Sequence, residues 1–60
     1  MNYYETLHTV YDEYRNMSHA ILIDALRRAV AGINKTFNMK LDPVTEVNDY
    51  LQMRKKLNVA

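Results

Sequence analysis

Apolar residues recur at Tyr3, Leu7, Val10, Tyr14, Met17 and Ile21, with alternating spacings of four and three. That repeat draws an a/d heptad seam along one face of a helix. Tyr11 widens the stripe, and Glu5, Thr6, Thr9, Asp12, Glu13 and Asn16 take the opposite side. The pattern predicts an amphipathic helix over about residues 3–16.

From Ala20 onward the apolar stripe changes position. It now runs through Leu22, Leu26, Ala29, Val30, Ile33 and Phe37, with Asp24, Arg27, Arg28, Ala31, Asn34 and Lys35 on the polar side. At about 100° per residue, the second stripe sits roughly a quarter turn from the first if the helix is continuous. Either the chain breaks or kinks near Asn16–His19, where Asn16 or Ser18 can cap a new helix, or one long helix carries a stutter. The second helix is predicted over residues 19–37. Gly32 costs about 1 kcal/mol relative to alanine inside a helix, which predicts a close crossing of two backbones there.

The third boundary is marked more sharply. Residues 38–41 lack helical periodicity and lead into Asp42-Pro43. An aspartate cap followed by proline at the first helical position starts a helix, because the missing N–H has no intrahelical partner there. Glu46 suits the positive end of that helix, and Arg54, Lys55 and Lys56 suit its negative end. The helix is predicted over residues 43–57, with Val44, Val47, Tyr50, Leu51 and Leu57 facing inward. The fold class is therefore all-α, a helical hairpin or three-helix bundle in a single domain over residues 1–60.

Composition changes this picture in two ways. With one glycine and one proline, the chain lacks the regular turn signals of an all-β fold. At 60 residues it hides only about 60% of its unfolded surface and calls for a staple. Absence of cysteine removes the disulfide route and points to a reducing, cytoplasmic setting. Association is the staple left, and a homodimer of hairpins making a four-helix bundle is expected. Without an apolar run of roughly 20 residues or a signal-peptide start, no membrane role is expected, and the chain reads as a complete cytosolic open reading frame.

Charge is unevenly spread. Glu5, Asp12, Glu13 and Asp24 outweigh Arg15 in the first part, whereas Arg27, Arg28, Lys35, Lys40, Arg54, Lys55 and Lys56 outweigh Asp42, Glu46 and Asp49 in the second. Arg27, Arg28 and Lys35, with Arg54, Lys55 and Lys56, form the candidate phosphate-binding patch. A net charge of +1 is small for a DNA-binding domain, and the connection before Pro43 fits a helix-turn-helix only loosely.

Signs of catalysis are sparse. One glycine cannot build a phosphate loop, and Ser18 and His19, as helix neighbours, do not face each other. Glu5, His8 and Asp12 share the polar face of the first helix at metal-ligand spacing, but exposed there they lack support from neighbouring groups. No metal, cofactor or small-molecule substrate is expected, and His19 reads as a capping or packing residue.

The tyrosines carry more. Tyr3, Tyr4, Tyr11 and Tyr14 sit on or beside the first stripe, more phenols than so small a core can bury with every hydroxyl satisfied. Tyrosine suits interface borders, where the ring is covered and the hydroxyl stays wet. Met17, Met39 and Met53 add adaptable contact surface. The expectation is a small non-enzymatic protein that binds another protein, or a copy of itself, through Tyr3, Tyr4, Leu7, Val10, Tyr11, Tyr14 and Met17. Phage- or plasmid-encoded regulators and inhibitors of this size act by masking a surface of a larger host complex. The alternative is a small dimeric DNA-binding transcriptional regulator using the basic patch.

Overall fold

Each helix begins where a side chain can take up N–H groups that have no partner within the helix. Asn2 caps the first, its Oδ1 accepting from the Glu5 N–H at 2.8 Å while the Glu5 carboxylate accepts from the Asn2 N–H. Such a reciprocal box satisfies two of the four orphan donors at the end of a helix. Ser18 caps the second through Oγ and the Ile21 N–H. Asp42 precedes the third, accepting from the Val44 N–H at 3.4 Å and the Thr45 hydroxyl at 2.7 Å. The Thr45 hydrogen bond is the main reason that the Asp42 carboxyl is held below the usual carboxylate range.

The computed structural model describes residues 2–59, with side chains through Leu57. It contains α1 (Tyr3–Tyr14), α2 (His19–Phe37) and α3 (Pro43–Val59). The first two helices are separate. The Met17 N–H turns back onto the Tyr14 carbonyl at 3.0 Å, ending α1 two residues before the expected limit. Ser18, and not Asn16, opens α2.

α2 is the central element. Both α1 and α3 pack on it, whereas no Cα of α1 approaches within 8 Å of one in α3. Cross-links between the outer helices rise in step, Tyr3 to Glu46, His8 to Tyr50 and Arg54 to Tyr11. α1 and α3 therefore run parallel to each other, and the short links make each antiparallel to α2. The core consists of Leu7, Leu22, Leu26, Val30, Val47 and Tyr50. Tyr3, Val10, Tyr11, Tyr14, Ile23, Ala29, Leu41, Leu51 and Met53 pack around it. Among the described residues no helix is long and apolar enough to cross a membrane.

Several inward assignments need correction. The heptad seam stops at Tyr14, because the turn at residues 15–18 releases the next two positions; Met17 is 53% exposed and Ile21 is also exposed. Phe37 ends the second stripe but is 66% exposed. Val44 is exposed on the flank of α3. Leu57 lies nearly in line with Tyr50 but two turns further on, beyond the start of α2, and is exposed as well. Gly32 is at no close crossing: a Cβ added there would meet nothing within 4 Å.

The α2–α3 link is held by a side chain expected on the surface. Asn34 Nδ2 donates to the Leu41 carbonyl at 2.7 Å, and its Oδ1 accepts from the Leu41 N–H at 2.9 Å. Asn38 adopts the left-handed conformation at φ 55°, and the N–H groups of Asn38 and Met39 both return to the Asn34 carbonyl. This left-handed turn satisfies a terminal carbonyl of the helix and projects residues 39–41 back alongside α2.

Candidate functional site

The turn after α2 has a consequence for the surface. It brings Met39 and Leu41 beside Ile33 and Phe37, and the start of α1 lies opposite with Tyr3 and Tyr4. Together with Asn2, Thr6 and Glu46 these residues line an open groove of about 360 Å³ at one end of the three helices. Tyr4 is 52% exposed, and Met39 and Phe37 are also open to solvent. Large apolar side chains gathered on a concave surface are what docking sites use, whereas isolated ones are ordinary.

Each wall has a local cause. The capping box at Asn2 starts α1 early enough to place Tyr3 and Tyr4 at the rim. Tyr3 and Tyr4 meet edge to face, with ring centroids 5.3 Å apart. The Tyr3 hydroxyl donates to Glu46 Oε1 at 2.8 Å, fixing the floor between α1 and α3. Burial, followed by that hydrogen bond and the Glu46 charge, pushes the Tyr3 phenol well above its ordinary range. On the far wall, the Asn34 clip holds Leu41 and with it the whole turn.

The seven residues expected to meet a partner divide into three groups. Leu7 is enclosed in the chain's own core, and Val10, Tyr11 and Tyr14 are half-buried against it. Their apolar face is covered within the chain by α2 and α3. Tyr3 and Tyr4 line the groove, and Met17 is exposed at the other end beside the α1–α2 link. Met39 was expected as adaptable contact surface, whereas Ile33, Phe37, Leu41 and Glu46 were not expected at a site. A signal was there to be read: two apolar residues in a segment without periodicity, directly after Phe37 and before a strong helix start.

Arg27, Arg28, Lys35, Lys55 and Lys56 are exposed, but Arg28 pairs with Asp24 at 2.9 Å. Arg54 folds inward instead, its guanidinium carbon 3.9 Å from the centroid of the Tyr11 ring. Its NH1 group lies 3.1 Å from His8 Nδ1 and donates to the Tyr50 hydroxyl at 3.3 Å.

His8 is likewise not on the open polar face. It is half-buried, and its Nδ1 lies 2.7 Å from the Tyr50 hydroxyl. The Arg54 guanidinium beside it can only donate, and both Arg54 and Tyr50 converge on the same ring nitrogen. Glu5, His8 and Asp12 therefore do not converge, and no group of three metal-binding side chains occurs among the described residues. Ser18 Oγ is occupied as the α2 cap, and His19 is exposed beside it.

Compared with known protein families, with curated proteins and with solved structures, the chain finds no match.

Proposed function

We propose that this chain is a non-enzymatic binding module that seats an apolar segment of another protein in the groove between Tyr4, Phe37 and Met39. The observation that carries the reading is Phe37: a phenylalanine 66% exposed on the wall of a concave site with two tyrosines, an isoleucine, a methionine and a leucine. Covering that surface removes apolar area from water, worth roughly 25 cal/mol per Å² before the costs of association. The module would act by occupying a surface of a larger partner, in the manner of a steric regulator or inhibitor.

The proposed contact lies at the end groove and not along the α1 seam, much of which is covered within the chain. Tyr3 and Tyr4 keep the role expected of them, and Met17 lies outside the site. A second copy of the chain is the other occupant to be tested, since a homodimer would cover the same surface.

The test uses Phe37→Ser combined with Tyr4→Ser, both at exposed positions where substitution leaves stability nearly unchanged. Immobilised wild-type and doubly substituted chains are compared for the proteins they retain, and each is weighed in solution by light scattering. The reading expects one or more proteins held by the wild type and lost by the variant while the melting temperature stays. If both chains retain the same proteins, the groove is not the docking surface. A dimer that the double substitution converts to monomer would assign the groove to self-association.

A further inference from the structure

The groove is apolar except at one place. Among the described residues that line it, Glu46 alone carries a charge. One carboxylate oxygen accepts from the Tyr3 hydroxyl, and no described lysine or arginine lies within 4.0 Å of either. The positive end of α3 favours the Glu46 charge, and the second carboxylate oxygen, not enclosed and without a hydrogen bond among the described residues, is free to meet a cation. Asp49, one turn along α3, adds to the negative potential that Glu46 places on Tyr3. Tyr3, Tyr4 and Phe37 line the same groove, and the face of an aromatic ring also attracts cations.

We propose that the segment received by the groove is basic as well as apolar, its lysine or arginine meeting the Glu46 carboxylate while a neighbouring apolar side chain packs between Tyr4, Phe37 and Met39. This rests on the groove being a docking site and adds the chemistry of its partner. The carboxylate sets the register of the segment, because a cation placed elsewhere along it leaves Glu46 unpaired. An acidic segment of the same apolar pattern is rejected by like charge.

Three synthetic helices that share one leucine stripe and differ in flanking lysine, glutamine or glutamate separate these statements. Their binding is followed on the isotopically labelled chain by NMR, reading the amides of Ile33, Phe37, Met39 and Leu41. The expected order of affinity is lysine over glutamine over glutamate. The lysine peptide should lead the glutamine peptide by roughly two- to five-fold at low salt, with the margin shrinking as salt is raised. Glu46→Gln keeps an acceptor for the Tyr3 hydroxyl, so the peptides should still shift the groove amides while the ratio of lysine to glutamine affinity falls to about one. Equal binding of all three peptides, or a lysine preference that survives Glu46→Gln, overturns the inference and leaves the apolar docking site standing. If none of the three shifts those amides, the docking site itself is wrong.

Discussion

The Tyr50 hydroxyl lies 2.7 Å from His8 Nδ1, across two helices that bring no Cα atoms within 8 Å of each other. Tyr50 is almost wholly buried, and its ring meets both His8 and Tyr11 edge to face. Arg54 closes the cluster over Tyr11. Long side chains thus fill the space between α1 and α3, and the join depends on polar partners as well as packing. Arg54 Nε is buried there without a hydrogen-bond partner, so the cluster tolerates little further loss.

Tyr50→Phe removes the hydroxyl that lies 2.7 Å from His8 Nδ1 and accepts from Arg54, and leaves only the longer Arg54–His8 contact of 3.1 Å. Stripping one member from a half-buried hydrogen-bonded pair costs about 1–3 kcal/mol. Urea denaturation should show that loss. A double-mutant cycle with His8→Ala should return a coupling of about 0.5–3 kcal/mol. Strict additivity of the two substitutions would mean that the contact contributes nothing.

Stability should fall on the alkaline side. Burial raises the phenols of Tyr3 and Tyr50 above the ordinary value of 10.0, so the unfolded chain releases those protons first. Their contribution is fully present below about pH 10. It declines as pH rises from there toward the raised values of the folded state. Denaturant midpoints measured from pH 8 upward should drop beyond that point, and less steeply in Tyr3→Phe. An identical decline in the variant would assign the effect to other groups.

Gly32→Ala should stabilise the chain by about 0.5–1 kcal/mol, the helix-propensity difference, because the added methyl meets open space. The expected readout is a higher thermal midpoint with unchanged circular dichroism. A lower midpoint would show that something covers Gly32 in solution, such as a second copy.

Asn34→Ala breaks both hydrogen bonds to Leu41 and should cost about 1–3 kcal/mol. It should also speed amide exchange at Leu41, since the turn loses its clip to α2. Groove affinity should fall with it, because Met39 and Leu41 are then no longer held in place. Unchanged exchange at Leu41 would contradict the clip.

Much of the secondary structure could be read directly from the chain. Apolar periodicity, Ser18 and Asp42-Pro43 are local signals, and local signals suffice to place three helices within about two residues of where they occur. Which positions on those helices are buried was less accessible. Val44, Phe37 and Leu57 continue apolar stripes yet are exposed, because burial depends on which part of each helix its neighbours cover. Arg54 and His8 are polar yet turn inward, because the parallel outer helices leave a gap that only long side chains can bridge. Asn34 reads as a surface amide until the left-handed turn at Asn38 brings Leu41 back to it. The groove has the same origin: Tyr4, Phe37, Met39 and Glu46 belong to four different segments of the chain. The sequence determined the helices and their apolar faces, since these follow from residues three and four apart. Only the tertiary structure decided which of those faces is covered within the chain and which is left open for a partner, since that depends on the relative lengths and directions of helices distant in sequence.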